Sequence, residues 1–333
     1  MPSRSGGAGR SVVGLDDVGV RAARIAAAVE KVIEGKGEAV RLAVTVLLAE
    51  GHLLIEDVPG VGKTMLAKAL ARSIDCSVAR IQFTPDLLPS DITGVSVWNQ
   101  ETRAFEFKPG AIFANIVVGD EINRASPKTQ SALLESMEER QVTVDGVTYA
   151  LEMPFLVVAT QNPIEMEGTY PLPEAQRDRF TARITIGYPS PDAELAVLDN
   201  HSAASPLDDL EPVSDALEVA KLIQAVRSVH VAEAVRRYAI DLVNATRASH
   251  ELRLGASPRA TLHLLRTARA AAAIDGRDYV LPDDVQALAG PVLAHRLLLS
   301  AEAQVARRTT EAVVADIVAS VPVPADERRR RSS

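Results

Sequence analysis

The sequence predicts an α/β fold, in which a parallel sheet covered by helices is followed by a helical region. Short apolar runs of strand length alternate with helical or loop segments as far as Gly187. The stretch DVPGVGKT lies between one of these runs and a helical pattern, which is the order of a phosphate-binding loop. From Pro189 onward the strand patterns stop, and alanine-rich helical periodicity continues to Ala319.

The first part of the chain predicts its helices and strands in the following order. Residues 21–48 are expected to form two helices that break at Gly35 and Gly37. The sheet strands are predicted at residues 52–56, 78–83, 116–119, 155–161 and 182–187. Two hairpins are also predicted, in GVSVWNQETRAFEF with a turn at residues 99–102 and in QVTVDGVTYAL with a turn at Asp145 and Gly146. We interpret both hairpins as insertions into the core.

The second part of the chain predicts helices that pack against one another. Apolar residues at helical spacing predict two buried faces, formed by Val235, Tyr238, Leu242 and Val243 and by Leu262, Leu265 and Ala268. We interpret both faces as core and not as a ligand site.

The stretch DVPGVGKT is the first half of a candidate nucleotide site. Gly60 and Gly62 permit backbone angles that turn successive N–H groups toward phosphate oxygens at the start of a helix. Lys63 is expected to reach the β and γ phosphates, and Thr64 to offer its hydroxyl to Mg²⁺. The complete set of predicted loop residues is Asp57, Val58, Pro59, Gly60, Val61, Gly62, Lys63, Thr64 and Met65.

Two adjacent carboxylates, Asp120 and Glu121, are the second half of that site. They end the apolar run IVVG, and acidic groups at the end of a buried strand are costly unless they have a function. Asp120 is predicted to hold magnesium, and Glu121 to orient the attacking water or accept its proton. The loop alone is also compatible with an ordinary glycine turn, because Asp57 replaces the first glycine of the GxxxxGK[ST] pattern. Together the two halves predict hydrolysis of ATP or GTP with Mg²⁺.

Composition and charge restrict the class of protein. The 333 residues are 47% apolar and 24% charged, which is typical of a globular protein with a sizeable core. A net charge of −8 and only 4% aromatic residues argue against a nucleic-acid partner. The single cysteine, Cys76, excludes an internal disulfide, and the scattered histidines suggest no metal cluster. The start, MPSRSGGAGRSVVG, has no apolar core of signal-peptide length, and no stretch of the sequence is long enough for a membrane span, so we expect a cytoplasmic location.

Several longer stretches resemble one known family. DEINRASPKTQSALLESMEERQVTVDG and ATQNPIEMEGTYPLPEAQRDRF are similar to the MoxR family of AAA+ ATPases, as are LIEDVPGVGKTMLAKALA and LGASPRATLHLLRTARA. The resemblance extends from Val32 to Leu298. It implies a P-loop core with a five-stranded parallel sheet in the order 5-1-4-3-2, followed by a helical lid. It also implies an insertion in the second helix and an extra hairpin before the fourth strand, which the two predicted hairpins would supply.

We therefore expect four parts along the chain. They are a flexible N-terminus at residues 1–14, an α/β nucleotide-binding domain at 15–188, an all-α lid domain at 189–323 and a flexible basic tail at 324–333. The segment YPSPDAE, with its two prolines, is expected to link the two domains.

The resemblance also implies roles for three further residues. Asn162, after the run FLVVATQ, matches the sensor 1 position, where an amide can bond the γ-phosphate and the attacking water. Arg179 matches the arginine finger, whose guanidinium would stabilise the transition state at the neighbouring subunit's ATP. Arg177, two residues earlier, is the alternative finger. Arg259 matches sensor 2, and either its own subunit's ATP or that of the neighbour is a possible target.

Two positions depart from the family pattern. The segment EGKGE at residues 34–38 replaces a GQ-containing sequence near the adenine pocket, which puts the base contacts there in doubt. Asp57 puts a negative charge where many phosphate loops have glycine, and it could weaken phosphate binding by repulsion.

A trans-acting arginine implies a homo-oligomer, for which the family indicates a hexameric ring. The resemblance further implies ATP and Mg²⁺ as cofactors, chaperone-like remodelling of a protein client, and a partner with a von Willebrand factor A domain. Three alternatives stay open: a motor subunit of a metal chelatase, a nucleic-acid motor, and a nucleotide-gated scaffold with little turnover.

Overall fold

The protein is described from a computed structural model, which covers residues 14–57, 62–162, 169–188 and 206–324. Four loop positions of the predicted nucleotide site, Val58, Pro59, Gly60 and Val61, lie outside these ranges. Most of the predicted YPSPDAE linker and nearly all of the two predicted tails lie outside them as well.

The strands form one central sheet and three two-stranded sheets. In chain order the described strands are β1 (Leu53–Glu56), β2 (Val78–Gln82), β3 (Gly94–Asn99), β4 (Ala104–Pro109), β5 (Ile116–Asp120), β6 (Gln141–Val144), β7 (Val147–Ala150), β8 (Leu156–Gln161), β9 (Ala182–Ile184), β10 (Leu252–Leu254) and β11 (Leu298–Leu299). The central sheet has the order β2-β5-β8-β1-β9 with every pair parallel. When its strands are numbered one to five along the chain, this is the predicted order 5-1-4-3-2.

The helices precede, connect and follow these strands. In chain order the described α-helices are α1 (Leu15–Glu30), α2 (Gly37–Leu48), α3 (Lys63–Ser73), α4 (Pro89–Thr93), α5 (Pro127–Glu139), α6 (Glu174–Arg177), α7 (Ala216–Arg227), α8 (Glu233–Ala248), α9 (Pro258–Ile274), α10 (Pro282–Leu293), α11 (Ala301–Val305) and α12 (Thr310–Ser320). None of the helices in the described ranges is long and apolar enough to cross a membrane.

The inner strands are buried on both faces, which explains their nearly continuous apolar sequences. Alternate residues of β1 face opposite sides of the sheet. Leu53 and Ile55 belong to a core shared with the first three helices and the helical region, whereas Leu54 belongs to a second core around α5. The sheet thus separates two apolar layers and fixes where its polar strand ends lie.

The last strand of the sheet is shorter than predicted. It was expected to reach Gly187 but ends at Ile184. The backbone N–H groups of Ile186 and Gly187 donate instead to the carboxylate of Asp57, at 2.7 and 2.5 Å. A side chain that follows β1 therefore terminates the neighbouring strand.

The two predicted hairpins are present and touch each other. One is β3–β4, which lies between α4 and a short 3₁₀ helix, and the other is β6–β7, which precedes β8. Phe107 of the first hairpin stacks on Tyr149 of the second, with ring centroids 4.1 Å apart. Trp98 and Phe105 meet edge to face further along the first hairpin, and both are exposed.

The helical region confirms one predicted core face and corrects one residue of the other, in which Ala268 is buried and Leu265 packs against the core. Val235, Tyr238, Leu242 and Val243 are buried, but Leu262 is 57% exposed. The buried stripe of α9 runs instead through Ala260, Leu264, Thr267, Ala268 and Ala272. Because α9 is rich in alanine, its faces differ little in hydrophobicity, and the sequence periodicity did not identify the buried face. Strands β10 and β11 also form a small antiparallel sheet that the helical periodicity did not predict.

Candidate active site

The phosphate loop ends at the N-terminus of α3. Gly62 has φ +88° and ψ 18°, a left-handed conformation that glycine adopts without strain, and α3 begins at the next residue. The Lys63 ammonium donates to the backbone carbonyl of Asp57 at 2.6 Å, so the lysine folds back across the loop. Ile33, just before the predicted adenine-pocket segment, lies 3.9 Å from the position that a Gly62 Cβ would occupy. Met65, also predicted to bind nucleotide, is half-buried against the core.

Asp57 does not direct its carboxylate as the sequence suggested. One carboxylate oxygen accepts the N–H groups of Ile186 and Gly187, and the residue is buried. Hydrogen bonds from two backbone amides stabilise the charge and bind this oxygen to the segment after β9. The expected repulsion of phosphate is therefore offset by this pairing, and Asp57 connects the loop to the neighbouring strand end.

Thr64 and Asp120, the two predicted magnesium ligands, lie side by side. The Thr64 hydroxyl donates to Asp120 Oδ1 at 3.1 Å, which brings together two hard oxygen groups of the kind that Mg²⁺ prefers. The described residues contain no cluster of three or more His, Cys, Asp or Glu side chains arranged for a metal. A site with few protein oxygens suits Mg²⁺, which usually keeps several waters and binds substrate phosphates.

Asp120 has two further partners that the sequence analysis did not find. Arg80 Nε donates to its Oδ2 at 2.6 Å, and the Thr160 hydroxyl lies 3.4 Å from its Oδ1. Arg80 is on β2 and Thr160 on β8, the two strands that flank β5 in the sheet. Only the strand order brings these residues together, so no signal near Asp120 in the sequence could have indicated them.

Glu121, the predicted water-orienting residue, is held by two side chains. Gln82 Nε2 and Arg124 Nη1 donate to its Oε2 at 3.2 and 2.9 Å. Its backbone has φ +57°, and its N–H donates to the Thr160 hydroxyl at 3.0 Å. Both donors bind the same carboxylate oxygen, so they fix the orientation of the Glu121 side chain. Arg124, three residues after Glu121, was a local signal that the sequence analysis missed.

Asn162 lies at the same edge of the sheet. It directly follows β8, the strand between β5 and β1, and it is buried. Because carboxyl ends of parallel strands share one edge, Asn162 lies between the strand ends that carry Asp120 and Asp57. The structure therefore brings Lys63, Thr64, Asp120, Glu121 and Asn162 to one edge.

The two predicted arginines lie elsewhere and pair with one carboxylate. Arg179 precedes β9 and so lies at the amino edge of the sheet, and its Nε is 3.3 Å from Glu138 Oε2. Arg259, at the start of α9, donates to the other oxygen of Glu138. The three residues of β9 separate the two edges by about 10 Å. Arg259 therefore groups with Arg179 and not with the phosphate loop of its own chain. The alternative finger, Arg177, has a buried Nε with no acceptor among the described residues.

Asp178 connects the arginine segment to the helical region. Both of its carboxylate oxygens accept hydrogen bonds from Ser257, which caps α9, at 2.9 and 2.8 Å. The Arg296 guanidinium pairs with the same carboxylate and donates to the carbonyl of Phe180 at 2.5 Å. Burial lowers the pKa of Arg296 to about 10, although Asp178 opposes that shift. The sequence analysis missed Arg296 because a single arginine after a helix gives no periodic signal.

The segment EGKGE lies beside the end of the sheet. Its Lys36 donates to the carbonyl of Tyr188 at 2.9 Å. The lysine therefore links the turn between α1 and α2 to the chain that follows β9.

Comparisons with known proteins agree with this arrangement. The family model described as "ATPase family associated with various cellular activities (AAA)" matches residues 52–182, and an AAA lid domain model matches residues 244–317. The chain is 51% identical to the uncharacterized protein YeaC of Bacillus subtilis over 89% of its own length and 92% of that protein.

A second relative and a solved structure extend this comparison. The chain is 41% identical to chaperone MoxR1 of Mycobacterium tuberculosis over 89% of its own length and 80% of that protein. The crystal structure of a proposed ATPase from Cytophaga hutchinsonii superposes with a TM-score of 0.86 at 38% identity, and the match covers 93% of this chain and 97% of that one. From this sheet order, these matched regions and these relatives, we conclude that the chain belongs to the MoxR family of AAA+ ATPases.

Proposed function

We propose that this ATPase is a subunit of a hexameric ring that uses Mg²⁺-dependent ATP hydrolysis to remodel or mature protein complexes. The observation that carries the proposal is the division of the site between two edges of one sheet. The phosphate loop and carboxylates lie at the carboxyl edge, whereas Arg179 lies at the amino edge. A head-to-tail ring would bring the second edge of one subunit to the first edge of the next.

At the carboxyl edge, Lys63 would exchange its carbonyl partner for the β and γ phosphates. Thr64 and Asp120 would hold Mg²⁺, which when bound neutralises part of the phosphate charge. Glu121 would orient the attacking water and accept its proton after release from Arg124. Asn162 would hydrogen-bond the γ-phosphate and that water.

At the amino edge, Arg179 and Arg259 would exchange Glu138 for the phosphate oxygens of the neighbour's ATP. A carboxylate and a phosphate are both anions whose oxygens accept hydrogen bonds, so a guanidinium can bind either one. The shared carboxylate would hold both arginines in the free subunit. This geometry favours a trans role for Arg259 as well as for Arg179.

The proposed output is a movement of the inserted hairpins against a protein client. Contact between the hairpins through Phe107 and Tyr149 would let them move together. A relative named as a chaperone supports protein remodelling over the chelatase alternative. Family membership also supports a partner with a von Willebrand factor A domain.

A mixing experiment tests the shared site. Arg179→Ala should bind ATP and hydrolyse it poorly, and Lys63→Ala should fail to bind it. In mixed rings, a Lys63→Ala subunit can supply its arginine to the intact loop of an Arg179→Ala neighbour, so turnover should partly recover. Arg236→Ala, at an exposed position of α8, is the matched control and should hydrolyse like the wild type. Mixed rings that form, as measured by mass, and give no recovery would contradict the trans role.

A further inference from the structure

A cavity of about 500 Å³ lies where the ends of α2, α5 and α7 meet the middle of α9. Glu50, in its wall, precedes β1, whereas the phosphate loop follows β1. The cavity is therefore at the amino edge of the sheet and is separate from the phosphate loop and the carboxylates at the opposite edge. Its volume is within the range of small-molecule pockets, roughly 300–1,000 Å³.

The wall of this cavity carries excess positive charge. It contains the four arginines Arg140, Arg227, Arg266 and Arg269 and the three acids Glu50, Glu138 and Glu139. Glu50 is bound by both Arg140 and Arg227. Burial alone would raise the pKa of Glu50, but the hydrogen bonds from these two arginines outweigh it. The pKa of Glu50 is therefore lowered. Glu138 is occupied by Arg179 and Arg259. Of the acids, only Glu139, which is exposed, remains to offset the other two arginines.

Those other two arginines, Arg266 and Arg269, are three residues apart on one face of α9. Neither forms an ion pair with any acid in the described ranges. The Nε of Arg269 is buried and has no acceptor among the same residues. Arg266 is exposed to solvent on this face, and partial burial of its guanidinium together with the positive charge of Arg140 lowers its pKa. A buried donor without a protein acceptor is uncommon in folded proteins, and a bound anion would satisfy it.

We propose that this cavity is a second anion site, in which Arg266 and Arg269 bind a phosphate group that carries two negative charges. The two unpaired guanidiniums match the charge of such a group, and their forked N–H donors match its oxygens. Arg140 and Arg227 add a positive field while Glu50 keeps them in place. The ligand class is a small phosphate-bearing molecule that enters from solution.

The same chemistry could come from a neighbouring subunit's nucleotide, because Glu138 lines the cavity and also pairs with Arg179. The test must therefore separate the cavity from that arginine pair. Inorganic pyrophosphate is the probe, and Lys63→Ala is the background, because that substitution is expected to remove phosphate binding at the loop.

Pyrophosphate should bind saturably to the Lys63→Ala protein, as measured by isothermal titration calorimetry at low salt. Adding Arg266→Gln and Arg269→Gln should weaken binding by about tenfold or more, because two charge-assisted contacts are lost. Adding Arg236→Gln, an exposed arginine on α8, should leave binding unchanged. Adding Arg179→Ala should also leave it nearly unchanged. Thermal unfolding of each variant checks that the fold is retained.

Two results would overturn the proposal. One is the absence of saturable pyrophosphate binding in the Lys63→Ala protein. The other is binding that survives the loss of Arg266 and Arg269, or that is lost equally with Arg179. A loss that follows Arg179 would assign the anion to the trans arginine face, whereas a failure of the mixing experiment alone would leave the cavity site intact.

Discussion

At the scale of single residues, Glu121 is the proposed water-orienting group, and its surroundings bear on that role. Its carboxylate is bound by Gln82 from β2 and by Arg124 from the turn after β5. These two donors occupy Oε2 of Glu121, the same kind of acceptor that a water molecule would need. Under the proposed mechanism Glu121 would therefore have to be released from this pair.

Replacing Arg124 should raise basal hydrolysis. Both partners are partly exposed, with side-chain exposures of 45% for Arg124 and 31% for Glu121, so the pair is weak. Arg124→Ala should increase steady-state ATP turnover by at most about fivefold at a fixed ring concentration. Glu121→Gln on top of Arg124→Ala should abolish the gain. A fall in turnover for Arg124→Ala alone would mean that the arginine assists the reaction.

His52 should make stability depend on pH. The residue is buried, its Nε2 faces the Met137 carbonyl at 3.1 Å, and its Nδ1 accepts the Val157 N–H at 3.0 Å. These partners assign the proton to Nε2 and leave no room for a second proton on Nδ1. Burial lowers the pKa of His52 from 6.5 to about 4.

Because the folded pKa of His52 is the lower one, its contribution is complete above pH 6.5 and is lost as pH falls toward 4. The free energy of unfolding should fall by up to about 3 kcal/mol from this group over that interval. Urea unfolding from pH 7 to pH 4 measures it, and His52→Gln should reduce the slope. His250→Gln, at an exposed position, is the control. Equal slopes for His52→Gln and the wild type would refute the assignment.

At the scale of elements, one ionic cluster joins the sheet to the helical region. Asp178, next to Arg179, is bound by the N-cap residue of α9 and by Arg296 after α10. The position of Arg179 therefore depends on helices far away in sequence. A second contact between elements, the Phe107–Tyr149 stack, connects the two inserted hairpins.

Breaking the ionic cluster should destabilise the fold. The Arg296 side chain is 1% exposed, and its loss would leave the mostly buried Asp178 carboxylate with only Ser257 and the Arg259 guanidinium, whose Nε is 3.9 Å away. Arg296→Met should lower the free energy of unfolding by about 3 kcal/mol in urea titrations. The double variant Asp178→Asn, Arg296→Met should lose less than the sum of the single variants, because the buried charge that lost its main partner is gone. Strict additivity would show that the pair does not act as a unit.

At the scale of the whole molecule, the proposed ring would divide each site between two subunits, because the phosphate loop and Arg179 lie at opposite edges of one sheet. A subunit without a neighbour would then lack the arginine half. Under this proposal hydrolysis would be a property of the assembly, and activity would depend on the protein concentration.

Specific ATPase activity should rise with protein concentration as rings form. Light scattering and hydrolysis measured on the same samples with Mg²⁺ should rise together, because each new contact completes one site. Glu121→Gln should assemble and retain ATP without cleaving it, which separates assembly from chemistry. Constant specific activity across the range in which the mass changes would contradict the shared site.

The sequence by itself determined the two hairpins and the polar groups that follow β1 and β5, whereas the sheet order and the role of Asn162 came from the resemblance to the family. The hairpins and these polar groups depend on local patterns, since a strand that ends in DE or a glycine turn before a helix is visible within ten residues. The apolar face of α8 was equally readable, because large residues recur there at helical spacing.

Only the tertiary structure decided which polar groups meet. Arg80, Gln82 and Thr160 reach the two carboxylates because β2 and β8 flank β5, and strand neighbours cannot be read from a single segment. Packing likewise set the exposure of Leu262, and the two hydrogen bonds that Ile186 and Gly187 donate to Asp57, after the neighbouring strand β1, set the short end of β9. The pairing of Arg179 and Arg259 on Glu138 joins three segments that are far apart in the chain. Long-range contacts therefore decide at which edge of the sheet these arginines lie, and local propensity does not.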